Sequence, residues 1–278
     1  MKKMERYERE TMEYLRHNGK ISIQRAMKLL DVSESTVRRM FRRLEESQQV
    51  LHIYGGIQLI SQNVLDYSFE KVESHQIEEK IRIARQAVTL LRNGDMVFLD
   101  SGTTMAQFAS ALAGYIHEGK LRDLTIFTNS LVNLNHLSDC TRVNLIGGEY
   151  RPQRKDFCGY LAEEMVKNLH FNRCFLGTDG YSGSVGFTTT DFLTARLNEL
   201  VLSCSAERIV LADYNKFLQS TVVSYSRTQK VDLVITDRPL ERSVQDSLAQ
   251  RGTRVLYAEK SFSANQGAER NGQNSVII

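Results

Sequence analysis

Apolar residues first recur at helical spacing around Met12, Tyr14 and Leu15, and this stripe ends at Asn18-Gly19, a pair that stops helices. After a short extended Lys20-Ile21-Ser22-Ile23, a second stripe of Ala26, Leu29 and Leu30 predicts a short helix ending at Asp31-Val32. Ser33 then offers a hydroxyl N-cap to a third helix, whose buried positions are Val37, Met40 or Phe41, and Leu44. The opposite face of that helix carries Ser35, Thr36, Arg38, Arg39, Arg42 and Arg43. Beyond Glu46, the stretch from Val50 to Leu59 reads as two short strands about Gly55-Gly56, a hairpin tip. Helix, helix, short turn, arginine-studded helix and hairpin, in that order, predict a winged helix-turn-helix domain over residues 1–60.

Residues 61–76 are polar and mixed in charge, with Phe69 as the main apolar anchor, and read as a linker. From Ile77 the pattern changes to strands and helices in turn, which predicts an α/β sensor domain over residues 77–258: a parallel or mixed sheet flanked by helices. Strands are expected at Met96–Leu99, Leu124–Thr128, Arg142–Ile146, Cys174–Leu176, Arg208–Ala212, Leu233–Thr236 and Arg254–Tyr257. Helices fit at Ile77–Leu91, Thr104–Ala113, Ser130–Leu137, Tyr160–Leu169, Phe192–Ser203 and Leu240–Gln250. The remaining residues 259–278, rich in Gly, Asn, Gln and Ser, have no periodicity and predict a disordered tail.

The chemistry of the second domain is concentrated where its strands end. The exits read Asp100-Ser101-Gly102-Thr103-Thr104, Thr128-Asn129-Ser130, Gly147-Gly148-Glu149, Gly177-Thr178-Asp179-Gly180 and Asp213-Tyr214-Asn215-Lys216. In open α/β sheets ligands bind outside the carboxyl ends of the strands, so these turns are expected to converge on one pocket. The first leads into a helix with hydroxyls, a glycine and free N–H groups, an arrangement that suits an anion. Asp100, Asn129 and Asp179 can hydrogen-bond sugar hydroxyls, and Lys216 and Arg151 can add positive charge. The turn lacks the length and lysine of a nucleotide P-loop, and no G-x-G-x-x-G follows a strand, so a small phosphorylated metabolite fits better than ATP or NAD. No cofactor is expected.

Charge sharpens this division. Residues 1–60 hold 12 basic and 8 acidic side chains, while the other 218 hold 24 and 25, so the chain's excess of three positive charges lies at its N-terminal end. A basic small domain on a nearly neutral large one points to a polyanion, here double-stranded DNA. Arginine can grip a guanine edge bidentately, and hydroxyls serve base edges or phosphates. No stretch approaches the ~18 apolar residues of a spanning helix, which implies a cytoplasmic protein without membrane partners. Cys140, Cys158, Cys174 and Cys204 stand far apart and the six histidines are scattered, so no metal site is expected.

The order Val32-Ser33-x-Ser35-Thr36-Val37-Arg38-Arg39, Gly55-Gly56, Glu79-Lys80-x-x-Ile83-Ala84, Asp100-Ser101-Gly102-Thr103-Thr104, Thr128-Asn129-Ser130, Gly147-Gly148, Lys216-Phe217 and Ile235-Thr236-Asp237 resembles the DeoR family of bacterial regulators of sugar metabolism. The resemblance implies a winged-helix reader joined to a sensor similar in fold to ribose-phosphate isomerases, glucosamine-phosphate deaminases and CoA transferases. It also implies a homo-oligomeric repressor, dimer or tetramer, of a carbohydrate-utilisation operon, released from operator DNA by a phosphorylated sugar-type effector. Carried over, the DNA contacts fall on Ser33, Ser35, Thr36, Arg38 and Arg39; Arg42 on the same helix face, and His52 and Tyr54, which stand where the wing usually has an arginine and a histidine, are further candidates. The effector-phosphate contacts carried over fall on Ser101, Gly102, Thr103, Thr104 and Lys216, and the strand exits add Asp100, Asn129, Gly148 and Asp179 as effector candidates. Departures from the family pattern are Met40 where an aspartate usually follows the arginine pair, and Thr194-Ala195-Arg196-Leu197-Asn198 where a Glu-Ala-x-Val-Lys run is usual. Arg196 is then the candidate to replace the missing lysine charge.

Two other readings stand beside this one. The first is a sugar-phosphate isomerase or deaminase with an accessory domain, its base being Asp179 or Glu149 and Lys216 stabilising negative charge; since no carboxylate or histidine is placed as a clear base, no catalytic residue is assigned. The second is a metabolite-binding module whose N-terminal helices serve assembly.

Overall fold

The computed structural model describes residues 3–18, 20–46, 50–53, 55–59 and 67–258. It divides into two compact units, residues 1–68 and 69–278.

In the first unit, α1 (Lys3–Asn18), β1 (Lys20–Ser22), α2 (Ile23–Leu30) and α3 (Glu34–Glu46) precede a hairpin of β2 (Val50–Ile53) and β3 (Gly56–Leu59). Strand β1 pairs antiparallel with β3, which pairs antiparallel with β2, so the wing is a three-stranded sheet. Gly56 is needed there, because a Cβ would lie 2.2 Å from the carbonyl oxygen of Ile21 on the neighbouring strand. Ser22 caps α2 by accepting from the Arg25 N–H at 3.1 Å, and Asp31 ends the helix in the left-handed region. The apolar faces of the three helices close on Leu15, Ala26, Leu30, Val37, Met40, Phe41 and Leu44, with Val50 and Ile57 from the wing.

The second unit is built on seven parallel strands: β4 (Met96–Leu99), β5 (Thr125–Thr128), β6 (Arg142–Leu145), β9 (Phe171–Leu176), β12 (Ser205–Leu211), β14 (Leu233–Thr236) and β15 (Arg254–Tyr257). Their order across the sheet is β15-β14-β12-β9-β4-β5-β6. The strands are hydrophobic almost throughout because both faces are covered. Val97 and Leu99 of β4 join one core with Ile209, Leu211 and Ile235, while Phe98 joins the other with Leu176, Val210 and Val234. The first core is roofed by α5 (Ile77–Val88), which follows the short α4 (Phe69–Glu73), and by α6 (Thr103–His117) with Leu137 of α7 (Leu131–Leu137). The second is roofed by α8 (Tyr160–Lys167), α9 (Phe192–Ser203) and α10 (Arg242–Gln250), together with a small sheet of β10 (Gly180–Ser182), β11 (Gly186–Thr189) and β13 (Val223–Ser224). A two-stranded hairpin, β7 (Glu149–Arg151) and β8 (Asp156–Cys158), completes the unit. The sheet is parallel throughout, which narrows the sequence expectation of a parallel or mixed one. The hairpin and the small sheet were not read from the sequence; their strands are only two to four residues long.

The chain leaves the sheet in one direction after β4, through β5 and β6, and in the other after β9, through β12, β14 and β15. The strand order therefore reverses between β4 and β9. That is the topological switch point, where an open parallel sheet leaves a crevice at its carboxyl edge.

Candidate functional site

At the switch point the exits of β4 and β9 meet on Asp100. Its carboxylate accepts the Ser101 N–H at 2.7 Å, the Gly177 N–H at 3.1 Å and the side-chain amide of Asn198 at 3.0 Å. Burial raises the Asp100 carboxyl to about 6, against the lowering effect of those three donors and with a small further push from Asp156. Asn133 donates to the Asp100 carbonyl at 2.8 Å and to the Thr128 hydroxyl at 3.1 Å, tying in the β5 exit. Asp100 thus fastens two strands and α9 together. The sequence expectation that it serves sugar hydroxyls meets a carboxylate already engaged by internal donors.

Of the next residues, Ser101, Gly102 and Thr104 are partly exposed and Thr103 is buried. Gly102 has φ of 103°, in the region that favours glycine, and a Cβ there would meet no atom within 4 Å. It precedes α6, whose N-terminus has no side-chain cap, so the first N–H groups of the helix, at Thr103 and Thr104, lack a helical partner and can donate to an anion. Ser101 Oγ donates to Asp156 at 2.8 Å. Asp156, fully buried, is gripped by Arg151 through Nε and Nη2, each at 2.8 Å. The same guanidinium bonds Asp191, the N-cap of α9, and Thr194 Oγ1 at 3.0 Å. Arg151, expected as a ligand cation, is held by two acids inside the fold.

Lys80 and Lys216 lie within electrostatic reach of each other. Lys80 lies near the start of α5, is 3% exposed, and donates to the Val72 carbonyl at 2.8 Å. Its pKa is lowered to about 8, by burial first and by Lys216 second, while Asp213 and Glu73 oppose the shift. The sequence offered Glu79-Lys80 as a motif without a role for Lys80, because nothing in one sequence shows that its charge interacts with Asp213 and Lys216 at the distant β12 exit.

The remaining candidates have structural work. Asn129 is buried and donates to the Phe157 carbonyl at 3.1 Å. Asp179 accepts from the hydroxyls of Thr189 and Thr190 and from the Thr190 N–H. A Cβ on Gly148 would lie 2.4 Å from the Cys158 carbonyl oxygen, so this glycine lets the hairpin close. Arg196 points away: it is 67% exposed and pairs with Glu163 of α8 at 2.8 Å. The last residue of the run, Asn198, is the one on Asp100.

In the first unit, Ser35, Arg38, Arg39 and Arg42 line the exposed face of α3, with Ser33 and Thr36 at its start. Ser33 accepts the Thr36 and Val37 N–H groups through its carbonyl at 3.1 Å, and its hydroxyl lies 3.0 Å from Ser35 Oγ. Arg38 is paired with Glu34 at 2.6 Å and Arg43 with Glu8 of α1 at 2.6 Å. Among the described residues, Arg39 and Arg42 have no acidic partner. Met40 is 1% exposed and accepts the Thr11 hydroxyl through sulfur, so its departure from the family pattern lies in the core and not on the reading face. His52 lies on β2, and Tyr54, like the tail 259–278, falls outside the described residues.

A winged helix-turn-helix with a basic third helix, on one chain with a parallel α/β domain whose strand exits meet at a topological switch point, defines a one-component transcriptional regulator. Residues 8–63 match the sequence profile of the DeoR-like helix-turn-helix domain and residues 75–238 that of the DeoR C-terminal sensor domain. The chain is 30% identical over 234 residues to the HTH-type transcriptional regulator IolR of Bacillus subtilis, covering 84% of this chain and 90% of that protein. It is 31% identical to the lactose phosphotransferase system repressor of Streptococcus mutans, covering 85% and 93%. The chain belongs to the DeoR family: it is a DNA-binding transcriptional regulator, not an enzyme. Among solved structures, a D-ribose-5-phosphate isomerase bound to phospho-erythronic acid is similar at 16% identity and a TM-score of 0.39, over 51% of this chain and 54% of that one. No helix among the described residues is long and apolar enough to cross a membrane.

Proposed function

We propose that the chain represses a carbohydrate-utilisation operon by laying α3 in the major groove of its operator as part of a homo-oligomer, and that a small phosphorylated sugar-type effector releases it. The observation that carries the effector reading is the uncapped helix start at Ser101–Thr104, open at Gly102, to which the proposal adds the charges of Lys80 and Lys216. The phosphate takes the N–H groups at Thr103 and Thr104 and the Ser101 hydroxyl, and the sugar hydroxyls extend along the exits of β5 and β9. The names of the relatives support the repressor part, one being a repressor of a lactose transport system.

Release needs an effector that binds one state of the sensor better than the other. Ser101 is suited to report it. A phosphate that takes its hydroxyl competes with Asp156, and Asp156 is joined through Arg151 to Asp191 at the start of α9. A thermal-shift screen of sugar phosphates, polyol phosphates and unphosphorylated sugars tests the reading. A true effector at a hundred times its dissociation constant adds about 2.7 kcal/mol of stability. Stabilisation by the sugars alone, and by no phosphate ester, would refute it.

A further inference from the structure

The helices that roof one side of the sensor leave an apolar surface uncovered. Tyr160, Leu161 and Met165 of α8 are 71%, 65% and 46% exposed and Phe192 of α9 is 66% exposed, while Ala162, Val166, Ala195 and Val201 on the same helices are buried. Among the described residues of this unit, only Tyr150 and Leu218 are large apolar side chains of comparable exposure lying elsewhere.

Two observations place the four residues on one surface. Helices α8 and α9 each lead directly into a strand of the parallel sheet, β9 and β12, so they run in the same direction. The Arg196–Glu163 bond at 2.8 Å sets their register, which brings Phe192, one turn before Arg196, level with the start of α8 at Tyr160. The patch amounts to roughly 400 Å² of apolar surface, about half of the ~800 Å² that each partner contributes to a standard dimer.

Its charges are paired by sign along α8. Glu164 and Lys167, one turn apart and ion-paired, stand beside the Leu161–Met165 stripe. If two α8 helices cross antiparallel about a two-fold axis, Glu164 of each meets Lys167 of the other, and the stripes meet between them. A face that carries both members of each such pair is complementary to itself. It offers no excess of either sign to nucleic acid or to an acidic or basic partner.

We propose that the α8–α9 face is where a second copy of this chain docks. This rests on the regulator reading only in that two joined copies present two recognition helices to one operator. Its own support is the patch and its self-complementary charge.

The test is the mass of the full-length protein in solution, measured by light scattering after size exclusion and by sedimentation velocity at micromolar concentration. The wild type is expected to run as a dimer or a multiple of one. Leu161→Glu combined with Met165→Glu should weaken association at least 100-fold and yield protomers with an unchanged circular dichroism spectrum. Glu164→Lys alone should also weaken association, and Glu164→Lys with Lys167→Glu should restore it, a recovery that loss of folding cannot imitate. A protomeric wild type, or a Leu161→Glu/Met165→Glu variant that keeps the wild-type mass, overturns the proposal. Promoter binding is scored separately on the wild type, so the interface and the regulator reading can fail independently.

Discussion

Arg151→Leu is the sharpest probe of the sensor's interior. Asp156 has no exposed side-chain surface, and Arg151 supplies two of its three side-chain donors, the third being Ser101. Removing one partner of a buried ion pair leaves an uncompensated charge and costs about 3–5 kcal/mol. At about 2–4 °C per kcal/mol for a unit of this size, the melting temperature of the sensor should fall by roughly 6–20 °C. The second variant isolates the cause. Asp156→Asn in the Arg151→Leu background removes the stranded charge while keeping an acceptor for Ser101, so it should recover about 2 kcal/mol or more. Scanning calorimetry and urea unfolding of the wild type, both single variants and the double variant give the full cycle. A single Arg151→Leu variant within about 1 kcal/mol of wild type, or a double variant no more stable than it, would refute the reasoning.

Other expectations concern the carboxylate, the lysine and the reading helix. Asp100, raised to about 6 from 3.8, holds its proton more tightly in the folded state, so its contribution is fully present below about pH 4 and lost as pH rises through 6. Asp100→Asn should remove that slope. Wild-type stability relative to this variant should fall by up to about 3 kcal/mol between pH 4 and 7, and a constant difference would contradict the assignment. Lys80, lowered to about 8, is charged below that pH and neutral above it, so affinity for a phosphorylated effector should drop from pH 7 to 9 by calorimetric titration. Lys80→Met should bind more weakly and flatten that dependence. Arg39→Ala and Arg42→Ala should each lower the slope of log affinity for operator DNA against log salt by about 1, with stability changed by less than about 0.5 kcal/mol. An unchanged slope would remove these arginines from the DNA contacts.

What could be read from the sequence followed from local periodicity. Val37, Phe41 and Leu44 on one side of α3, and arginines on the other, define a helix and its buried face without outside information. Continuous runs such as Met96–Leu99 and Leu233–Thr236 mark strands covered on both faces, and the turns after them mark the sheet's carboxyl edge. What escaped was set by contacts distant in sequence. Arg151 is drawn inside by Asp191, 40 residues on, across a hairpin of three-residue strands too short to register as periodic. Asn198 reaches Asp100 over 98 residues, and nothing in the run Thr194–Asn198 indicates that Asn198 turns inward while Arg196 turns out to Glu163. Gly148 looked like a ligand turn because a glycine required by a close backbone approach and one required by a ligand are the same letter.

The central claim is that a phosphorylated effector seated at the Ser101–Thr104 cradle releases the protein from DNA. Its most direct test is fluorescence anisotropy of a labelled fragment of the adjoining promoter, bound by the full-length chain and titrated with sugar phosphates and their unphosphorylated counterparts. The account predicts release by at least one phosphate ester and not by its parent sugar. It also predicts that Lys80→Met binds the fragment as tightly as wild type but needs roughly 10- to 100-fold more ester, the loss of one charge-assisted hydrogen bond. Release by the parent sugar at the same concentration, or by the ester undiminished in Lys80→Met, would contradict it.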